Sequence, residues 1–320
     1  MNEINILDVN KFMDMAGNNV HIVNAIAKTH NMLELYNNPT CSISGGSDSD
    51  VMLDMVYRLD VDKKVKYIWF NTGLEYQATK DHLNFLEDKY GINFERVMPI
   101  KSIPVCCKDC GQPFLSKITS ERIESLQNAG FDFRDEPYEV QIEKYPTVVS
   151  RIKWFHGKNI MYQFNCSKRL HRFLVLHPPQ FKISAKCCSY SKKKPIKLYQ
   201  KEHYVDLEMI GVRRAEGGAR SVTNNCVTTT GDVTTFRPIY WFDDCDKKAY
   251  DEIFGITHSD CYIKYGMKRT GCVGCPFNRF LFDELESIKY FENGLYRAAC
   301  NVFKDSYEYT RLYRKFEVKT

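Results

Sequence analysis

Six consecutive residues, Ser44-Gly45-Gly46-Ser47-Asp48-Ser49, combine the residue types that hold a phosphate. Glycine accepts the positive φ values that aim successive backbone N–H groups at one point, and serine hydroxyls add donors. A carboxylate in such a loop would repel phosphate unless a divalent cation stood between them, so Asp48 points to Mg2+-nucleotide over free phosphate. A helix capped by serine or aspartate after a glycine turn accounts for the same residues without a ligand. Neither G-x-x-x-x-G-K-[ST] nor G-x-G-x-x-G occurs, which excludes the two commonest nucleotide loops.

A second chemistry lies in the thirteen cysteines. Cys187-Cys188 and Cys272-x-x-Cys275 supply four soft thiolates, a set that suits an iron-sulfur cluster or zinc. Adjacent cysteines point apart in a strand, whereas in a helical or tight turn both reach one large group, which favours [4Fe-4S] with zinc as the alternative. Cys106, Cys107 and Cys110 also have ligand-like spacing and could recruit Cys166; loop thiols are the plainer reading. Cys41, Cys226, Cys245 and Cys300 read as packing residues, and Cys261 stays open. Basic side chains flank the cysteines: Lys192, Lys193, Lys194, Arg213, Arg214 and Arg220 can bind phosphate or sulfate, arginine as a fork and lysine as a point charge. With Arg151, Lys153, Lys168, Arg169 and Arg172, the lysines could instead form a nucleic-acid face.

These residues need elements to place them. "TCSIS" reads as a short buried strand, and Val51, Met52, Met55, Val56 and Leu59 give helical spacing from Asp48 onward. "VKYIWFNTG" is a second buried strand ending in the polar turn that carries Thr72, Gly73 and Glu75, followed by a helix over 75–90 and a strand in "NFERVMPI". Strands alternating with helices predict a parallel sheet whose ligands sit at the carboxyl ends of the strands, where both polar turns fall. Before this, 20–36 has a helical pattern. After it, periodicity weakens over 101–165, which reads as an insertion. A helix over 167–176, strands at "FKIS" and "YVDLEMIGVRR", and a helical C-terminal part complete the pattern. The expected division is a helical lead-in over 1–36, a nucleotide-binding α/β domain over 37–242, and a helical region over 243–320 carrying the CxxC.

Composition is globular, with 43% hydrophobic and 27% charged residues. The net charge of +5 suits anionic ligands and is too small to imply wrapping of DNA by itself. No secretory signal pattern and no apolar run of membrane-spanning length is present, so a cytoplasmic protein without a membrane partner is expected, its cysteines reduced or metal-bound.

"SISGGSDSDV" resembles the SGGxDS loop of the PP-loop ATP pyrophosphatase superfamily, and "WFNTGLEYQAT" resembles its phosphoadenosine-phosphosulfate (PAPS) reductase-like branch. The resemblance continues through "GQPFLSK", "KCCSYSKKKP", "GVRRAEGGAR" and "RTGCVGCPF". It implies a parallel-sheet α/β fold of the adenine-nucleotide α-hydrolase type. It also implies phosphate or nucleotide contacts from Ser44, Gly45, Gly46, Ser47, Asp48, Ser49, Thr72, Gly73, Glu75, Arg213 and Arg220. Cys187, Cys188, Cys272 and Cys275 match the cluster ligands of iron-sulfur members. Thiol-dependent reductases of the branch use a cysteine near the C-terminus in a Cys-Gly-Leu-His-like segment, which is absent here. Retention of Asp48 resembles the ATP-cleaving form. The implied function is binding of ATP with Mg2+ and release of pyrophosphate to adenylate an acceptor, with Asp48, Ser47 and Lys194 in the reaction and a nucleic acid or sulfur donor as possible partner. Sulfonucleotide reduction, with an unusual nucleophile such as Cys261, and a non-catalytic nucleotide-binding regulator or nucleic-acid-binding module are the alternatives.

Overall fold

The computed structural model describes residues 4–159, 165–217 and 225–317. In chain order they form α1 (Val9–Met15), α2 (Val20–Leu35), β1 (Pro39–Ile43), α3 (Ser47–Leu59), β2 (Lys66–Phe70), α4 (Gln77–Tyr90) and β3 (Glu95–Val97). Next come α5 (Ile103–Cys110), α6 (Lys117–Asn128), α7 (Tyr138–Lys144), α8 (Val149–Phe155), α9 (Lys168–Leu176), α10 (Lys186–Cys188) and α11 (Lys194–Glu202). The remainder is β4 (Leu207–Ile210), β5 (Val227–Thr230), β6 (Val233–Phe236), α12 (Asp244–Phe254), α13 (Asp260–Ile263), α14 (Leu281–Phe291), α15 (Asn293–Val302) and α16 (Lys304–Lys315).

The chain divides into two compact units, one of residues up to Ile100 with Lys192–Gly271, the other of Lys101–Ser191 with Cys272 onward. The segment 101–165 thus belongs to the same unit as the CxxC and the C-terminal helices.

The first unit holds a six-stranded sheet in the order β3-β2-β1-β4-β6-β5. All neighbours are parallel except the edge pair β5 and β6. The fold is therefore α/β with a mainly parallel sheet, as the alternating pattern predicts. β1 is central because its residues are apolar or small on both faces: Cys41 and Ile43 are buried, and Cys41 lies opposite Tyr67 on one side and Met209 on the other. From β1 the chain moves outward to β2 and β3, then returns to add β4 on the opposite side. This reversal makes the carboxyl ends of β1 and β4 a topological switch point, the place where open α/β sheets bind ligands. The core around it is built from α3 (Val51, Met52, Met55, Val56) and α2 (Ile22, Ile26, Leu33).

The second unit has its own core, dominated by Phe114, Phe131, Phe155, Phe173 and Trp154, with Tyr309 of α16. The strand expected at "FKIS" does not join the sheet: Ile183 makes only an isolated bridge to Gln112. Its alternation serves packing against these aromatic rings. No described helix is long and apolar enough to cross a membrane.

Candidate active site

The glycine-serine loop leaves β1 and enters α3 at the switch point. The N-cap of α3 is Gly46, in extended conformation and without a side-chain cap, so the helix is not closed by its own serine or aspartate. Its first N–H groups and the positive end of its dipole converge on the loop, as an anion site requires. Two serines shape the loop: Ser49 Oγ accepts the Ser44 N–H at 3.0 Å and Ser44 Oγ accepts the Gly46 N–H at 3.3 Å. Gly45 sits at φ +66°, where a Cβ would also come within 2.8 Å of Thr79 Cγ2. Gly211, which opens the GVRRAEGGAR motif after β4 and was given no role of its own by the sequence, lies so close that a Cβ would stand 2.8 Å from Ser49 Cα and 2.9 Å from Asp48 O.

Arg213, two residues on, reaches over the loop. Its Nε donates to Asp48 Oδ1 and its Nη1 to Asp244 Oδ1, each at 2.8 Å. Burial pushes the Asp48 carboxyl up from its usual value, and the Arg213 charge opposes this. The structure thus brings together Ser44, Gly45, Gly46, Ser47, Asp48, Ser49 and Arg213, while Arg220 lies outside the described residues. Lys194, expected beside the reaction, is an exposed residue at the start of α11. It is Lys192 that lines a cavity of about 170 Å³ with Ser44, Trp69, Phe70, Glu75 and Thr270.

Thr72, Gly73 and Glu75 form the polar turn after β2. The buried Glu75 carboxylate accepts from Thr72 N (3.2 Å) and Thr72 Oγ1 (2.6 Å), and Gly73 N donates to Asn71 Oδ1 at 2.8 Å. Burial raises the Glu75 pKa, with Lys192 acting against it. Two further groups carried no sequence signal. Tyr262 Oη is 2.9 Å from Thr270 Oγ1 and stands beside the loop, 3.3 Å from where a Cβ on Gly46 would lie. Asp50 is buried two residues on from Asp48 in α3, with Oδ2 2.8 Å from His258 Nδ1 and Oδ1 3.1 Å from His82 Nε2. Burial acts to raise the Asp50 pKa, but the hydrogen bonds and charge of the two histidines prevail and lower it. His258, which also faces Asp251 and Lys247, is pushed up to about 9; burial works against this and the two carboxylates drive it.

The expected thiols lie in the second unit. The Cys187 thiol lies near enough to those of Cys107, Cys188 and Cys275 for each to act on its protonation, and α5, which carries Cys107, packs on α10. These influences, the Cys107 contact foremost and Cys188 opposing, raise the Cys187 pKa. Cys106 pairs instead with Cys110 and is pushed up to about 12, chiefly by burial. Cys166 lies in the aromatic core, where its N–H donates to Trp154 O, and does not join Cys106 and Cys110 in a second group. Cys272 and Cys275 bracket a turn in which Cys275 N donates to Cys272 O at 3.2 Å and Gly274 takes φ +59°. Glu284 accepts the Gly274 N–H at 2.8 Å, and the Tyr307 hydroxyl donates to Gly274 O. Burial pushes Glu284 up to about 8. The donor chemistry suits a soft metal, yet among the described residues no three His, Cys, Asp or Glu side chains are arranged to hold a metal ion. Cys261 is fully buried, without access for a sulfate ester. In the proposed nucleic-acid face, Arg169 donates to the Tyr313, Arg314 and Phe316 carbonyls at the end of α16, and Arg172 pairs with Asp135.

Residues 38–105 match the phosphoadenosine phosphosulfate reductase domain family. No curated protein matches the sequence. Among solved structures, the chain is similar to a phosphoadenylyl-sulfate reductase from Candida auris in a phosphate complex: 14% identity, 76% of this chain and 87% of that one covered, TM-score 0.42. An FMN adenylyltransferase from Candida glabrata is 9% identical over 83% of this chain and 68% of that one, TM-score 0.42. The U34-tRNA thiolase NcsA from Methanococcus maripaludis, with its [4Fe-4S] cluster, is 14% identical over 94% and 81%, TM-score 0.38.

Proposed function

We propose that the protein binds ATP through the Ser44–Ser49 loop and cleaves its α,β-phosphate bond, adenylating an acceptor and releasing pyrophosphate. The observation that carries this reading is the uncapped N-terminus of α3 at the switch point of the sheet, with Asp48 and Arg213 held against each other beside it. The α3 amides would take the β,γ-phosphates, and the positive helix end would stabilise the charge that develops on the leaving pyrophosphate. Arg213, released in part from Asp48, would donate to the same oxygens. The adenine would lie between Trp69 and the Lys192 side of the small cavity, with the Thr72–Glu75 turn as its rim. Mg2+, held by Asp48, would supply charge neutralisation at the phosphates.

An iron-sulfur group, or zinc in its place, would be held by Cys187, Cys188, Cys272 and Cys275, and would bring sulfur or structural chemistry to a nucleic-acid or sulfur-donor partner. The contact of Cys187 with Cys107 adds a thiol to that neighbourhood.

The test is ATP-pyrophosphate exchange by anaerobically purified protein, offered tRNA, DNA or sulfate in turn, with Asp48→Ala as control. Exchange with one acceptor that is lost in the variant supports the reading. Binding of ATP without exchange leaves a nucleotide-binding module and refutes turnover. The match of 38–105 to the reductase domain favours sulfonucleotide reduction as a second reading; sulfite release from PAPS with added thioredoxin would establish it in place of adenylation.

A further inference from the structure

A second cavity in the first unit lies apart from the one at the loop. It measures about 700 Å³, within the range of small-molecule sites, and shares no lining residue with the smaller cavity. One wall is a single face of α2, where His21, Ala25 and Lys28 recur at helical spacing. Arg214, after β4, and Trp241, in the turn between β6 and α12, line it too.

The chemistry of these walls is specific. Trp241 is 45% exposed, whereas Trp69 and Trp154 are buried. The Arg214 guanidinium lies 5.5 Å from the Trp241 ring centroid, and its backbone N–H is tied to Tyr240 O, so the pair is a preformed stacking platform. In the same lining the Lys28 ammonium donates to Cys226 Sγ at 3.1 Å, and among the described residues it meets no carboxylate. The one acid in the lining, Asp243, is engaged as the cap of α12, accepting the Asp246 N–H at 2.8 Å. His21 is held by Asp246 at 2.7 Å. The site therefore offers an aromatic face, apolar side chains in Ala25 and Phe242, and two cations, Lys28 and Arg214, against the single lining carboxylate of Asp243.

We infer that this cavity binds a nucleotide unit, its base stacked on Trp241 and its phosphate between Lys28 and Arg214, at a site separate from the Ser44–Ser49 loop. The inference goes beyond the proposed reaction and does not depend on it. Arg213 and Arg214, adjacent in sequence, serve different sites: the first faces Asp48, the second faces Trp241. The same unit could come from a free mononucleotide or from a single-stranded nucleic acid, where bases stack on exposed aromatic rings and phosphates meet basic side chains.

The probes are UMP and a ten-residue oligouridylate, titrated while tryptophan fluorescence is followed. Saturable quenching is expected with one probe or both. UMP alone suffices if the ligand is a free nucleotide; saturation by the oligomer only identifies a single strand. Trp241→Phe, at a half-exposed position, should keep its melting temperature and lose the quenching. Lys28→Ala and Arg214→Ala should each raise the Kd about tenfold, near 1.4 kcal/mol. The inference is overturned if neither probe quenches, if Trp241→Phe is quenched as wild type, or if both cation variants stay within about twofold. Loss of quenching in Asp48→Ala overturns it too, by placing the ligand in the loop.

Discussion

Replacement of Gly211 by alanine tests the site at its tightest point. The three atoms nearest an added Cβ are all backbone: Ser49 Cα at 2.8 Å, Asp48 O at 2.9 Å and Ser49 N at 2.9 Å. Favourable carbon contacts begin near 3.5 Å, so β4 and the start of α3 must separate by about 0.7 Å. No flexible side chain can yield instead. Overpacking of this kind costs about 1–3 kcal/mol, and a displacement approaching 1 Å at a catalytic loop costs up to about a hundredfold in rate. Gly211→Ala should therefore lower the melting temperature and reduce pyrophosphate exchange by about ten- to a hundredfold. Gly294→Ala, where an added Cβ meets nothing within 4 Å, should do neither. Wild-type melting and wild-type exchange in Gly211→Ala would refute the claim that close approach of β4 sets the loop.

Three further outcomes are expected. His258 is raised to about 9 by Asp251 and Asp50, from an unfolded value near 6.5. Its contribution, about 2 kcal/mol after solvent screening, is complete below about pH 6.5 and lost as pH rises through about 9; melting temperature against pH should show this decline, flattened in His258→Gln. Tyr262→Phe removes the hydroxyl that meets Thr270 Oγ1 at 2.9 Å, so stability measured by urea denaturation should fall by about 1 kcal/mol, the worth of one hydrogen bond; unchanged stability would show that the pair contributes nothing. Metal analysis of anaerobically purified protein should find iron reduced in Cys187→Ser and Cys107→Ser and retained in Cys166→Ser, whose thiol lies in the aromatic core.

The sheet and the loop were legible in the sequence because their determinants are local. A strand, two glycines and a helix with buried Val51, Met52 and Met55 occupy about twenty consecutive residues, and the structure places α3 over Ser47–Leu59 as the spacing predicts. The alternating strands and helices likewise gave the parallel sheet. What stayed hidden depends on segments distant in the chain. Asp50 meets His82 and His258, Gly211 meets Ser49, and Cys107 meets Cys187 through the packing of α5 on α10. No periodicity encodes such pairs. Lys194 was singled out over Lys192 within a run of identical side chains, where only the turn of the backbone decides which one faces the cavity. The "FKIS" segment alternates like a strand, but alternation reports a half-buried face and not a hydrogen-bonding neighbour.

The pairing of Asp48 with Arg213 spans 165 positions. At a synthesis rate of roughly 5–20 residues per second, the loop leaves the ribosome about 8–33 s before its arginine. For that interval β1 has no β4 beside it, and the α3 N-terminus faces solvent with Asp48 uncompensated. The newly made chain thus carries the glycine-serine loop before it carries the arginine that pairs with Asp48, and the loop takes its final form only when the far side of the sheet has been made.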